Sequence, residues 1–276
     1  MSTAFSAVRS RSAALTRLMP ASGWTIAIAA LSLAAWLGAL MFMADMDEGP
    51  GTPLHDLPAF LVGWIIMLTA MMLPSELSFI GAFIALLKSR SREAVADSRI
   101  VACFMAGYGV AWIGYGLAAY ILDAMVRGAG LEVLSWVKGG PFLAGGVLVV
   151  AGLYQISPLK QACLTHCRTP LAFFARRWRE GAAGALAMGA RHGLVCVGCC
   201  WALMAVMFAV GAMSLTWMAL LTLPMFAEKI LPHGQRLSVP IACFLWIMGV
   251  WIAVSPDTAP LLKDPMLFGA SLCRGF

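Results

Sequence analysis

The residues best suited to chemistry in this sequence are cysteines that follow a histidine in one short stretch. It reads His192-Gly-Leu-Val-Cys196-Val-Gly-Cys199-Cys200. At about 100° per residue in a helix, these four side chains fall within an arc of about 100°, with Trp201 on the opposite face. Thiolates and imidazoles on one face are ligands that soft and borderline metals prefer. The stretch therefore predicts a metal site or thiol chemistry.

A second group of the same residue types lies in a segment bracketed by Pro158 and Pro170. Cys163, His166 and Cys167 stand at i, i+3 and i+4, so they share one face of the short helix that we expect there. Zinc sites use such residues, and thiolates also suit Cu(I). The spacing alone is not that of a zinc finger. It is the closeness of two Cys/His groups that makes metal binding the leading interpretation.

A carboxylate inside an apolar run is the third unusual feature. Glu76 lies one helical turn after Met72, with Pro74 between them. A carboxylate buried in a membrane is costly unless it is neutralised or paired, so an intramembrane glutamate is a functional candidate. Pro74 removes a backbone hydrogen bond and predicts a kink. We expect Met72 and Glu76 to line a metal pathway, with the carboxylate compensating metal charge or carrying a proton.

The composition identifies the kind of element that must position these groups. Of 276 residues, 61% are hydrophobic and 12% charged, whereas a soluble domain has about 25% charged residues. This excludes a soluble enzyme and a disordered chain. Since open strands leave backbone groups unsatisfied in lipid, we predict an all-α fold, a polytopic transmembrane helical bundle of about seven spans. The predicted spans are Trp24–Met43, Phe60–Leu87, Ile100–Leu122, Phe142–Ile156, Gly193–Met213, Leu215–Leu231 and Val239–Val254.

The positions of the basic residues predict the orientation. Most of the 19 Lys and Arg residues fall on segments that a cytoplasmic N-terminus would leave inside. The C-terminus is then periplasmic, in the cytoplasmic (inner) membrane of a bacterium. The chain divides into a cytoplasmic tail at 1–23, a bundle at 24–254 and a periplasmic tail at 255–276, with a Cys/His-rich cytoplasmic connection at 157–192. The net charge of +6 is thus an orientation signal, and nucleic acid is not expected as a partner.

Several motifs resemble those of a known family. They are Ala70–Pro74, Tyr154–Lys160, Cys163–Pro170, Gly189–Gly193, Cys199–Met204 and the pair Glu228-Lys229. Over roughly Gly63 to Ala253, the chain resembles the bacterial domain-of-unknown-function 2182 family, whose members are described as predicted metal-binding integral membrane proteins. The resemblance implies a polytopic inner-membrane protein with metal ligands in these motifs, and implies no substrate. By charge alone, Glu228 and Lys229 are interpreted as interfacial residues that end the sixth span.

We therefore expect a membrane protein that binds a soft or borderline transition metal, Cu(I) first and Zn(II) second, for transport or handling at the inner membrane. The metal ligands that we predict are Cys196, Cys199 and Cys200, an adjacent inner set of Cys163, Cys167, His166 and His192, and Met72 and Glu76 along the pathway. The expected partners are the lipid bilayer and the metal ion. A metal chaperone and a second copy of the chain are the candidate protein partners.

Three other interpretations stay open. The first is a membrane thiol oxidoreductase with Cys196/Cys199 or Cys163/Cys167 as its reactive pair, although these thiols are predicted on the reducing side of the membrane. The second is a metal-dependent membrane enzyme with an open coordination position. The third is an assembly subunit whose thiols only pack. A catalytic role is less favoured than metal handling.

Overall fold

The structure, a computed structural model, describes residues 23–43, 54–90, 98–129, 139–211 and 214–256. The regular elements within these ranges are all helical, which confirms the all-α prediction. In chain order the α-helices are α1 (Gly23–Met43), α2 (Leu57–Met72), α3 (Leu77–Arg90), α4 (Ser98–Gly128), α5 (Gly140–Gln155), α6 (Pro158–Cys167), α7 (Pro170–Arg177), α8 (Gly181–Val210), α9 (Leu215–Ile230) and α10 (Ser238–Val254). The predicted N-terminal and C-terminal tails lie almost wholly outside the described residues.

Five segments of the described chain are long and apolar enough to cross a membrane. They are Gly23–Phe42, Leu57–Arg90, Ser98–Gly128, Gly181–Val210 and Gly234–Val254. Helices α5 and α6 meet the same test only as a pair bent by 67°, which would make a sixth span. Helix α9 has 16 residues and contains Pro224, so its length of about 24 Å is below the ~30 Å of a hydrocarbon core. The fold is that of a membrane protein, while seven spans and the orientation stay predictions.

Pro74 interrupts the second predicted span, as expected. A 3-10 segment, Leu73–Glu76, separates α2 from α3. A proline removes the hydrogen bond to the carbonyl four residues earlier, here that of Ala70. The Ser32 hydroxyl of α1 donates to this carbonyl at 3.2 Å, which satisfies it. The Ala70 carbonyl therefore keeps a hydrogen-bond partner, and the Glu76 side chain is buried in the bundle.

The predicted fifth span, Gly193–Met213, begins too late. The helix extends from Gly181 to Val210. Arg191 and His192 interrupt the apolar run in the sequence, but neither ends the helix, because Arg191 is exposed and His192 is buried against Glu76. His192 and the cysteines after it consequently lie in the middle of α8.

Helices α4 and α8 contact each other closely through glycines. A Cβ atom at Gly107 would lie 2.1 Å from the Leu186 carbonyl oxygen, and one at Gly189 would lie 1.9 Å from that of Phe104. Small residues allow the backbones of membrane helices to touch in this way. The contact fixes the depth of α8 against α4, and so positions the α8 cysteines relative to Tyr108.

We expect Gly107→Ala to lower the free energy of unfolding by about 1–3 kcal/mol, because the added methyl group forces the two backbones apart. Gly114→Ala on the same helix is the matched control, since a Cβ there meets no atom within 4 Å. That control should be neutral or slightly stabilising, because alanine is the better helix former. Thermal unfolding in detergent measures both variants, and equal melting temperatures would contradict the contact.

Candidate metal centre

Three sulfur atoms from two helices converge inside the bundle. The Sγ atoms of Cys167 on α6 and of Cys196 and Cys199 on α8 all lie within 4.8 Å of one another. The Cys167 and Cys199 sulfurs are 3.7 Å apart, and Cys200 Sγ lies 3.3 Å from Cys199 Sγ. In the described chain, no other group of three or more His, Cys, Asp or Glu residues has an arrangement suited to a metal ion. We call Cys167, Cys196 and Cys199 the sulfur cluster.

Helix geometry and one glycine bring this cluster together. Cys196 and Cys199 are three residues apart on α8 and therefore share a face. Helix α6 packs onto α8 at Gly198, where a Cβ atom would lie 2.9 Å from Cys163 Sγ. The close approach allows Cys167, one turn after Cys163, to reach Cys199. Both α8 sulfurs are buried, whereas Cys167 is half-buried.

Glu76, His192 and Lys229 form a buried charged group beside the cluster. His192 Nε2 lies 2.5 Å from one carboxylate oxygen of Glu76, and Lys229 Nζ donates to the other at 2.9 Å. The same ammonium lies 3.1 Å from Cys196 Sγ and donates to the Ser75 hydroxyl at 3.0 Å. Lys229 therefore places a positive charge beside the cluster, where it can compensate the negative charge that thiolates bring to a metal.

Aromatic rings pack around the His192 imidazole. The Phe79 ring stacks on the imidazole with centroids 3.6 Å apart, and Phe173 presents its edge at 5.9 Å. The second ring nitrogen, Nδ1, is buried and has no hydrogen-bond partner. Tyr108 completes this wall, with its hydroxyl 3.2 Å from the Cys196 sulfur. The packing holds His192 toward Glu76, and His192 is not part of the sulfur cluster.

Comparison with known proteins identifies the family. Residues 61–252, well over half of the chain, match the family described as "PpoB2: Copper chaperone". The chain belongs to this copper chaperone family. No curated protein and no solved structure matches it. The match covers nearly the same stretch as the motif resemblance, and its description names copper, but it does not carry the domain-of-unknown-function name.

In this member of the copper chaperone family, several of the ligands predicted from the sequence lie outside the sulfur cluster. Cys163 is half-buried beside the cluster, and His166 is exposed with Nδ1 2.8 Å from the Ala162 carbonyl oxygen. The Met72 sulfur lies 3.8 Å from Lys229 Nζ. The Glu76 carboxylate forms ion pairs with Lys229 and His192, and it also lies 3.6 Å from Cys196 Sγ. Its contact with His192 brings the polar face around Pro74 against α8.

The interpretation of Glu228 and Lys229 as interfacial residues is wrong. Their side chains are buried, Glu228 against Lys160 at 2.6 Å and Lys229 against Glu76. A charge can be buried when an opposite charge and further hydrogen bonds satisfy it. These partners are 68 and 153 residues away along the chain, so local patterns did not reveal them. The motif Tyr154–Lys160 contains Lys160, but nothing near it in the sequence indicates that it pairs with Glu228.

Proposed function

We propose that this protein, as a multi-pass protein of the bacterial cytoplasmic membrane, binds Cu(I) at Cys167, Cys196 and Cys199 and passes it to a partner. The observation that carries the proposal is the convergence of these three sulfur atoms within 4.8 Å. Soft thiolate sulfur is the donor that Cu(I) prefers. Membership of the copper chaperone family favours the same metal.

The donor set and the nearby charge both favour Cu(I) over Zn(II). Structural zinc sites in proteins are four-coordinate, whereas Cu(I) is stable with fewer sulfur ligands. When three thiolates bind one Cu(I), the site carries two negative charges. Lys229, 3.1 Å from Cys196 Sγ, offsets one of these charges inside the bundle. Cys200, whose sulfur lies next to that of Cys199, is proposed to bind copper only together with Cys199.

The exposure of the sulfurs suggests how copper would be exchanged. Cys167 is half-buried, while the Cys196 and Cys199 side chains have relative exposures of 0% and 1%. A partner thiol can reach Cys167 first and take its place on the copper ion. Cys163 and His166, one turn before and one residue before Cys167, are the proposed outer ligands of this exchange. Movement across the membrane would continue past Met72, with Glu76 and His192 balancing charge.

The proposed topology has seven spans and a cytoplasmic N-terminus. It counts α9 as a span and uses the predominance of Lys and Arg on the inner segments. In this arrangement α6 with Cys167 faces the cytoplasm. Thiols there stay reduced and able to bind Cu(I).

Element analysis of the loaded protein tests the proposal. Protein purified in detergent under anaerobic, reducing conditions and loaded with Cu(I) should retain copper stoichiometrically after desalting. Protein loaded with Zn(II) should exchange it for Cu(I), and X-ray absorption at the copper edge should show sulfur neighbours. Protein that stays free of copper after this loading would overturn the proposal, and so would a copper ion with only nitrogen or oxygen neighbours.

A thiol oxidoreductase is the second candidate, because the Cys167 and Cys199 sulfurs lie 3.7 Å apart. This function predicts copper-free protein in which the two thiols form a disulfide reversibly. Peptide mapping with and without a thiol reductant would detect that bond. Because an added oxidant can join these neighbouring thiols in either case, the copper content of the loaded protein separates the two functions.

A further inference from the structure

A second buried charged group, separate from the sulfur cluster, holds helix α6 in the bundle. Lys160 Nζ donates to both carboxylate oxygens of Glu228 at 2.6 Å, and also to the amide oxygen of Gln155. The Ser238 hydroxyl and the Gln155 amide group donate to Glu228 Oε1 at 2.9 and 3.0 Å. The ion pair is thus buried and fully hydrogen-bonded. The four residues of this group come from α5, α6, α9 and α10.

The other end of α6 is attached to the same region. The Arg168 guanidinium group, just after α6, donates to three backbone carbonyls at and beyond the end of α9, those of Glu228, Leu231 and Pro232. Because α6 is bent by 67° from α5, continuation of that helix does not determine its direction. The side-chain contacts at its two ends do.

The role that best explains the Lys160–Glu228 ion pair is to position α6, rather than to stabilise the fold. Apolar residues of similar volume can replace a buried ion pair without loss of stability, whereas the charged pair allows only one arrangement of its partners. Lys160 and Cys167 are seven residues apart, two turns of α6, and so lie on one face of the helix. Fixing Lys160 against Glu228 therefore fixes where Cys167 meets α8.

The end of α9 connects both halves of the metal centre. Glu228 binds the helix that carries Cys167, and the next residue, Lys229, lies 3.1 Å from Cys196 Sγ. We infer that Lys160 and Glu228 are positioning residues that hold Cys167 in place as the third sulfur ligand of the copper site. The inference rests on the proposed function, because it concerns the ligand number of that same site.

The double variant Lys160→Met/Glu228→Gln tests this role, since it removes both charges and leaves neither unpaired. We expect its copper affinity to fall about 10–100-fold, as for other partners that orient metal ligands. X-ray absorption at the copper edge should report two sulfur neighbours, as in Cys167→Ser, where the unaltered protein has three. Combined with Cys167→Ser, the double variant should weaken binding no further. Lys88→Met, an exposed lysine on α3, should leave affinity and ligand number unchanged.

A metal-free measurement separates this inference from the proposed function. Mild oxidation of the copper-free protein by a disulfide reagent should join Cys167 to Cys199, and the double variant should give a severalfold lower yield by peptide mapping. Ser238→Ala, which removes one hydrogen bond to Glu228, is the milder variant if the double variant does not fold, with a smaller decrease in the same direction.

Unchanged disulfide yield in the folded double variant, or in Ser238→Ala if the double variant does not fold, would overturn the positioning role. Three sulfur neighbours with unchanged affinity in the double variant would do the same. An unaltered protein that binds no copper would instead overturn the proposed function. The disulfide yield would then still decide whether Lys160 and Glu228 hold Cys167 beside Cys199.

Discussion

Replacement of Cys199 by serine is expected to abolish stoichiometric copper binding. Its sulfur lies 3.7 Å from that of Cys167 and 3.3 Å from that of Cys200, so it joins α6 to the α8 thiols. A serine hydroxyl is a hard, neutral ligand that a soft Cu(I) ion does not prefer. Under the loading conditions given above, element analysis should show copper falling from a stoichiometric amount to background.

Two cysteines outside the cluster provide matched controls for this loss. Cys243 is exposed on α10 and Cys103 is half-buried on α4. Cys243→Ser and Cys103→Ser should each keep the full amount of copper, because neither thiol belongs to the cluster. Copper retained by a folded Cys199→Ser variant would contradict the site. Copper lost from either control would contradict it as well.

Replacement of Glu76 by alanine is expected to lower the free energy of unfolding by about 3–5 kcal/mol. The carboxylate accepts from Lys229 at 2.9 Å and pairs with His192 at 2.5 Å, and its relative exposure is 3%. Its removal leaves a buried ammonium without the opposite charge that stabilises it. Reversible unfolding in mixed micelles, followed by circular dichroism, measures the loss.

The control for this stability effect is Glu180→Ala. Glu180 is exposed before α8, and its side chain makes no capping hydrogen bond, so its replacement should change stability by less than about 0.5 kcal/mol. Glu76→Gln keeps the shape of the side chain and one hydrogen-bond acceptor. Its loss of unfolding free energy should therefore lie between those of Glu76→Ala and Glu180→Ala. Equal stabilities for Glu76→Ala and Glu180→Ala would show that the Glu76 ion pairs do not support the fold.

Cys199→Ser and Glu76→Ala should have opposite effects on copper content and on stability. Each variant is therefore a control for the other. Cys199→Ser removes a proposed ligand but leaves the charged group intact, so copper is lost with little loss of stability. Glu76→Ala leaves the three sulfurs in place but removes the partner of Lys229, so stability falls first. A Cys199→Ser variant that loses copper only because it unfolds would have the second profile rather than the first.

Local patterns in the sequence were enough to predict the helical fold and part of the site. Composition and apolar runs predicted an all-α membrane protein, because lipid leaves few other ways to satisfy the backbone. Helical periodicity placed Cys196, Cys199 and Cys200 on one face, and Pro74 predicted the break before Glu76. Each of these conclusions depends on residues within a few turns of one another, which is the range over which helix geometry is regular.

Which side chains meet across helices was decided only by tertiary packing. The sequence offered an inner ligand set beside the α8 thiols, and the structure brings only its Cys167 into the sulfur cluster; the set was Cys163, Cys167, His166 and His192. The pairing of Lys160 with Glu228 and of Lys229 with Glu76 was also hidden. A buried charge pairs with whichever opposite charge the packed helices bring beside it. Close contacts between helix backbones, such as that of Gly107 with the Leu186 carbonyl, determine how the helices pack, and they join residues that lie far apart along the chain.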